Sequence, residues 1–280
     1  MEIPIHFLGT GQAIPTSKRN HPAMLLRYKD ENILIDCGEG TQRQFRKAKL
    51  NPCKLTRILI THWHGDHIFG LPGLLQTLAM NNYNKKLHIY GPEGTKKYLG
   101  RMLDMFVPKE KIDFEIREIR TGRVFETEDF LVRSRKMDHG TKCLAYSFEE
   151  KDKLRINKDK LPDLPNSPKI AKLKEGKDVT IGGKELKAKE LTYEEEGKKI
   201  TFILDTALNE GMVKLAKDSD LLVGEATFMQ NSENGEDLAK EYKHLTARQV
   251  AEVAKEANVK RLVLTHISQR YEGREKELLG

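Results

Sequence analysis

The sequence predicts a layered α/β protein, and three observations carry that prediction. Short runs rich in Ile, Leu and Val recur along the chain and read as buried strands. Segments with helical spacing lie between several of these runs. The runs also share a habit, because each ends on an acid or a histidine. "NILIDCGEG" (32–40) reaches Asp36 and "RILITH" (57–62) reaches His62. "LVRSRKMDH" (131–139) ends in His139, "ITFILDT" (200–206) reaches Asp205, "LLVGEAT" (221–227) reaches Glu225 and "RLVLTH" (261–266) ends in His266. In α/β sheets, ligands gather where strands end and loops begin. The six ends are therefore expected to converge on one site.

The elements follow in order. "MEIPIHFLGTGQ" reads as a first strand entering a glycine turn. It lacks the basic start, long apolar middle and small-residue cleavage site of a secretion signal. No run of eighteen or more apolar residues follows, so no membrane span is expected and the cytoplasm is the expected location. "TQRQFRKAK" after Gly40 reads as a helix, and "LHIYGPEGTKKYL" (87–99) as a strand, a turn and a helix. In "TARQVAEVAKEAN", Val250, Val253, Ala254 and Ala257 form one apolar helical face, with Thr246 as its N-cap. His6, His21 and His88 receive no functional role.

One segment breaks this pattern. Residues 151–179 hold three prolines, no aromatic residue and many lysines. Their apolar residues look too sparse for a core element, so the stretch reads as an extended arm or mobile loop. No internal repeat or clean linker divides the rest. The expectation is one domain over residues 1–280 with an inserted arm at about 151–179.

A chain of 280 residues can bury a substantial core. With 38% hydrophobic and 32% charged residues it has the balance of a soluble globular protein with a heavily charged surface. Cys37, Cys53 and Cys143 are odd in number and form no CxxC pair, which argues against a disulfide framework or a cysteine-built zinc site. They read as small buried apolar residues. The formal charge is +7, and residues 151–189 carry twelve Lys or Arg against six Asp or Glu. This bias suits a polyanionic partner. The bland alternative is a solvated loop that happens to carry lysines.

"ILITHWHGDH" (58–67) concentrates three of the nine histidines and one aspartate within six positions. A strand ending at His62 must turn at once, and Gly65 is expected to permit a tight or left-handed backbone there. Such a loop can aim His62 and His64 at one centre and Asp66 and His67 at another. Imidazole and carboxylate suit zinc. Four ligands cannot complete two coordination shells, so His139, Asp205 and His266 are expected to supply the rest. A purely structural polar role is credible for each distant residue alone, but not for the whole cluster.

This constellation resembles the metallo-β-lactamase superfamily, whose mark is the HxHxDH loop. The resemblance implies a four-layer αββα sandwich. It also implies two Zn2+ per subunit, with Mn2+ or another divalent ion as alternatives. His62, His64 and His139 would hold one metal, and Asp66, His67 and His266 the second, with Asp205 bridging them. Further segments narrow the family. "FLGTGQAIPTSKRN" (7–20), "LIDCGEGTQRQ" (34–44), "HLTARQ" (244–249) and "THISQRY" (265–271) are similar to segments of RNase Z, the tRNA 3′-processing endoribonuclease family. "GEAT" (224–227) resembles its His-Glu-Ala-Thr box, with Gly224 in place of the histidine.

The resemblance implies a reaction and a substrate. A hydroxide held by two metals, with Asp66 as general base, would cut the 3′ trailer from precursor tRNA and leave a 3′-hydroxyl. His244, oriented by Glu225, would protonate the leaving oxygen; the alternative for the pair is structural, a strand-end acid and a residue just before a helix cap. Ser268 and Arg270 would meet RNA phosphates near the site. Lys18 and Arg19 in "PTSKRN" (15–20) are candidates for phosphates of the single-stranded 3′ end, with a solvated turn as the bland alternative. Lys153, Arg155, Lys158, Lys160, Lys169, Lys172 and Lys174 on the arm would grip the tRNA elbow. The family arm often carries Gly-Pro where this chain has Ser167-Pro168, which leaves its turn open. A homodimer, in which one subunit grips and the other cuts, is implied as well. The rival readings are another hydrolase of this fold acting on a small phosphodiester or ester, and a non-catalytic RNA-binding protein with structural metals.

Overall fold

The apolar runs form the strands of two six-stranded sheets. The computed structural model describes residues 2–105, 112–161, 167–230, 234–274 and 276–277. The first sheet runs β1 (Ile5–Gly9), β2 (Ala23–Tyr28), β3 (Glu31–Ile35), β4 (Arg57–Leu59), β5 (Leu87–Gly91) and β6 (Phe114–Glu118) in spatial order. Its first three strands are antiparallel, and β3 to β6 are parallel. The second sheet begins with β7 (Gly122–Glu126), β8 (Phe130–Asp138) and β9 (Lys142–Glu150). The chain then makes an excursion through β10 (Lys153–Ile156), β11 (Val179–Ile181), β12 (Lys184–Leu186) and β13 (Thr192–Glu195). It returns to the second sheet as β14 (Lys199–Ile203), β15 (Leu221–Glu225) and β16 (Leu262–Thr265). The spatial order of that sheet is β16-β15-β14-β9-β8-β7, with β14, β15 and β16 parallel.

The strands read as unbroken apolar runs because both of their faces are buried. Met24, Leu26 and Tyr28 of β2, Ile33 and Ile35 of β3, and Leu59 of β4 meet Phe130, Tyr146, Phe148, Ile200 and Phe202 of the second sheet. The residues in alternation with them face the other way. Leu25, Leu34, Ile58 and Ile89 pack under helices α1 (Thr41–Lys47), α2 (Gly65–Ile68), α3 (Leu71–Met80) and α4 (Thr95–Asp104), through Phe45, Ile68, Leu74, Leu78 and Leu99. A short α5 (Ala188–Leu191) lies in the excursion. On the outer side of the second sheet, Ala145, Ile203 and Leu222 pack against Met212 and Leu215 of α6 (Glu210–Ala216). The same layer takes Val250 and Val253 of α8 (Ala247–Glu256), which follows α7 (Gly235–Tyr242). The result is four layers, αββα. Burying each side chain of this size contributes about 1.5–3 kcal/mol.

Thr246 caps α8 as the spacing predicts. Its side chain accepts from the Gln249 N–H, and the Gln249 side chain accepts in return from the Thr246 N–H. Two hydrogen bonds clasp the sheets together beside the histidine-rich loop. The Tyr146 hydroxyl donates to the Ile60 carbonyl at 2.6 Å, and the Leu144 N–H to the Thr61 carbonyl at 3.0 Å.

The excursion differs from its reading as a segment without core residues. β10 pairs with β13 from Lys153↔Glu195 to Ile156↔Thr192, and β11 and β12 form a hairpin. Leu173, Val179, Ile181, Leu186, Ala188 and Leu191 form a buried cluster separate from the main core. Their spacing fits no single helix or strand. A 3-10 segment over Pro168–Glu175, the hairpin and α5 bring them together. Its span also runs past position 179, to Glu195. Residues 162–166 of this stretch lie outside the described residues. Cys37 and Cys143 are buried as expected, whereas Cys53 is only half-buried.

Candidate metal centre

The C-terminal ends of strands from both sheets deliver the polar residues to one place. His62 follows β4, His139 follows β8, Asp205 follows β14, and His266 follows β16. The structure brings His62, His64, His139 and Asp205 into one cluster, and Asp66, His67, Asp205 and His266 into a second. In each, the candidate donor atoms lie within 4.8 Å of one another, and Asp205 is common to both. Asp205 Oδ1 is 3.1 Å from His266 Nε2, and its Oδ2 is 3.6 Å from His62 Nε2 and 3.8 Å from His139 Nε2. A third group, Glu225, His244 and His266, adjoins the second.

Local geometry sets the loop. Gly65 opens α2, with His64 as its N-cap, and takes a tight helical turn, the first of the two backbones expected there, and not the left-handed one. Its role is spatial, because a Cβ there would sit 2.3 Å from the Phe69 ring. Gly38 gives similar room, since its Cβ would lie 2.5 Å from the Asp66 carbonyl oxygen. Among the strand-end residues of the centre, positive φ angles fall on Asp36 (54°) and His266 (57°). Such strain collects at functional positions.

Four of the histidines have their tautomer fixed from outside. The Asp36 carboxylate accepts from His67 Nδ1 at 2.6 Å. The same carboxylate accepts from the Thr61 hydroxyl at 2.7 Å, so Thr61 Oγ1 can only accept from His62 Nδ1, at 3.0 Å. The Lys243 carbonyl accepts from His139 Nδ1 at 3.0 Å, and Thr227 Oγ1 accepts from His266 Nδ1 at 2.8 Å. Each ring therefore turns its Nε2 inward, and His62, His139 and His266 present a lone pair there. His64 points the other way, with its Nδ1 3.1 Å from His139 Nε2. His62 Nε2 and Asp205 Oδ1 are buried without a hydrogen-bond partner. Donors oriented like this and left unsatisfied fit divalent cations.

The electrostatics agree. Burial, followed by the neighbouring His67, holds His62 well below the ordinary histidine range, and burial lowers His139 as well. Both are neutral and ready to ligate at pH 7. Burial also opposes charge on His67, but Asp205, Asp36 and Asp66 outweigh it and hold this ring well above the ordinary value. Burial alone would raise Asp66 and Asp205. The histidines around them outweigh it and hold both carboxyls well below their usual range. His244 Nδ1 lies 3.0 Å from Glu225 Oε2, and Glu225 Oε1 accepts from the Thr206 N–H at 2.7 Å. Burial opposes the charge on His244, but Glu225 and then Asp205 push its pKa up to about 9.

Comparison with known proteins places this geometry. Residues 3–174, more than half of the chain, match the family model described as anti-Pycsar protein Apyc1, and residues 184–267 match the beta-lactamase superfamily domain. The ribonuclease Z of Nanoarchaeum equitans is 41% identical over 96% of this chain and 84% of its own. That of Methanothermobacter thermautotrophicus is also 41% identical, over 95% of this chain and 87% of its own. The chain belongs to the ribonuclease Z family. The crystal structure of human tRNase Z, short form, superposes with a TM-score of 0.72 at 30% identity, covering 96% of this chain and 93% of that one.

The candidate RNA contacts of this family member fall into two sets. Around the centre, Lys18 is exposed, and Arg19 donates to Thr10 Oγ1 at 2.8 Å. Arg270 is exposed, with its guanidinium 5.7 Å from the centre of the Phe228 ring. Ser268 is buried, and its hydroxyl caps the turn that follows it. On the excursion, Lys158, Lys160, Lys169, Lys172 and Lys174 are exposed. Lys153 is engaged at the base by Glu150, at 2.7 Å, and Tyr28, and Arg155 pairs with Glu195 at 2.6 Å. Asp36 was expected at the site as a strand end but, like Thr61 and Thr227, was given no role there by the sequence reading. Its place at the end of an apolar run was the available signal, but its partners at Thr61 and His67 emerge only in three dimensions.

Asp36→Ala leaves the Thr61 N–H and hydroxyl and the His67 Nδ1–H without their acceptor. The expected result is a metal affinity lower by about 10–100-fold, measured by chelator competition. Stability should also fall by roughly 1–3 kcal/mol or more in urea unfolding. A second expectation concerns protons. His67 in the metal-free protein is protonated below its raised pKa and loses that proton as pH rises through it. Cation binding must displace the proton, so affinity should rise with pH by up to about tenfold per unit for each proton released. Calorimetry of metal binding in two buffers of different ionisation enthalpy should show the release. A buffer-independent heat contradicts it.

Proposed function

We propose that this chain is a two-zinc endoribonuclease that removes the 3′ trailer from precursor tRNA and leaves a 3′-hydroxyl on the tRNA. Family membership supports the substrate. The observation that carries the chemistry is His244, hydrogen-bonded to Glu225 with its pKa pushed up to about 9, adjoining a twin cluster of imidazole and carboxylate donors.

His62, His64 and His139 would hold one cation and Asp66, His67 and His266 the other, with Asp205 between them. Imidazole-rich sets favour zinc, and manganese is the alternative the carboxylates admit. When bound, the cations supply Lewis acidity that acidifies water and neutralises phosphate charge. The remaining steps belong to the chain. Asp66, held ionised by His67 and His266, accepts the proton of the attacking water. Glu225 takes the Nδ1–H of His244 and so directs the other ring proton, on Nε2, to the leaving 3′-oxygen. Lys18, Arg19 and Arg270 meet phosphates flanking the cut.

The excursion serves as an inserted arm of a single domain spanning residues 1–280. Its exposed lysines contact the backbone of a folded RNA, which gives affinity but no sequence readout. The family resemblance supports a homodimer in which the arm of one subunit serves the site of the other, and a cytoplasmic setting. No described helix is long and apolar enough to cross a membrane.

The direct test is incubation of the purified protein with a 3′-extended precursor tRNA, followed by mapping of the cut. Cleavage at the base of the trailer should leave a 3′-hydroxyl, stop with chelator, return with zinc, and fall at least about 100-fold in Asp66→Ala. Cleavage that persists after complete metal removal contradicts the proposal. The rival, a hydrolase of small phosphodiesters, is separated by removing residues 153–195. The deletion should cost precursor cleavage at least tenfold more than hydrolysis of a nitrophenyl phosphodiester, roughly the loss expected when several phosphate contacts disappear. Equal loss of both activities favours the rival.

A further inference from the structure

Beside the histidine-rich loop, Trp63, Phe69, Tyr98 and Met105 line a cavity of about 500 Å³, with Arg101 and Thr141 also on its wall. Neither the donor clusters nor the arm uses these residues. Two parts of the wall are continuous with donor-bearing loops. Trp63 sits between His62 and His64, and Thr141 lies two residues beyond His139. Consecutive Cα atoms are about 3.8 Å apart, so the backbone that carries this wall also carries His62, His64 and His139. His64 is the exposed member of that cluster.

The wall is largely apolar, and its indole is tethered. The indole N–H of Trp63 donates to Thr95 Oγ1 at 2.9 Å, and the buried Thr95 hydroxyl is hydrogen-bonded to the Pro92 carbonyl at 2.6 Å. The Trp63 and Tyr98 rings stand 5.4 Å apart, tilted by 47°. Phe69 is 62% exposed and Met105 73%. Exposed apolar surface gathered in this way marks a binding site.

The two flanks of the centre are chemically unlike. The turn that carries Lys18 and Arg19 is tied to the His266 side through the Gly11↔Ile267 bridge. The aromatic cavity lies on the His64 side. A strand of nucleic acid crossing the centre would offer charge to the first flank and a flat ring to the second. Arg101 beside the rings adds a partner for the neighbouring phosphate.

We propose that this cavity is a base-stacking subsite that takes one unpaired nucleobase of the RNA, next to the phosphodiester at the donor clusters. The identity of the polymer rests on the function proposed above. Stacking on aromatic side chains tolerates any base, which suits trailers of varied sequence.

Trp63 is the single tryptophan of the chain, so its emission reports occupancy. Rapid mixing of the zinc-loaded enzyme with excess 3′-extended precursor should quench it before cleavage. Tyr98→Ala should raise KM for the precursor about tenfold, well beyond any change in hydrolysis of a nitrophenyl phosphodiester. An abasic nucleotide at one position beside the cut should reproduce that rise in the wild-type enzyme and add little in Tyr98→Ala. If the precursor is cleaved but emission does not change, or Tyr98→Ala keeps the wild-type KM, the subsite is wrong and the reaction stands. If the precursor quenches Trp63 but is never cut, the reaction is wrong and the subsite stands. A Tyr98→Ala enzyme altered only in its oligomeric state makes the cavity a contact between copies and overturns the proposal.

Discussion

Everything at the centre depends on how the two sheets are held against each other. His62, His64, Asp66 and His67 come from the first sheet, and His139, Asp205 and His266 from the second. A slide of one sheet over the other by a single ångström would spread the donor atoms of each cluster, which now lie within 4.8 Å of one another. The hydrogen bonds from Tyr146 to Ile60 and from Leu144 to Thr61 fix that relation at the residues just before His62. Behind them, the aromatic layer of Tyr28, Phe130 and Phe148 fills the space between the sheets, with ring centroids 4.7–5.6 Å apart. Packing at this density resists sliding.

The charges within the clusters balance locally. Five imidazoles and two carboxylates converge at the mouth of a largely apolar sandwich, and buried charge is tolerated only where it is paired. In the metal-free protein a proton on His67 takes part of this role, shared among Asp36, Asp66 and Asp205. The outward nitrogens of four histidines are already committed to Thr61, Asp36, Lys243 and Thr227, so an incoming cation meets donors that need no reorientation. That pre-organisation is what a hydrolytic site requires, because reorganisation during the reaction would add to the barrier.

Sequence reading reached the centre because chemistry there is written in residue types that are rare elsewhere. Histidines at the ends of apolar runs could be read directly, and Asp205 and His266 belong to such runs. β2, β9 and α3 were harder. Burial on both faces removes the alternation that marks a strand at Ala23–Tyr28, and Leu71–Met80 is apolar enough to pass for either state. The excursion escaped for the opposite reason, since its cluster is assembled from single residues on short, differently shaped pieces. Trp63 had no meaning as a letter between two histidines. Its environment comes from α4, which no local pattern connects to the loop.

The excursion leaves the second sheet after β9 and rejoins it at β14, and those two strands pair antiparallel with each other from Lys199↔Glu149 to Phe202↔Tyr146. With its own apolar cluster and its ends brought together by the β10–β13 ladder, it is stitched into the sandwich like an appendage on a hem. A piece built this way can change in length or charge with little disturbance to the packing of the sandwich. Its surface and the donor-bearing loops are thereby carried by separately packed parts of one chain.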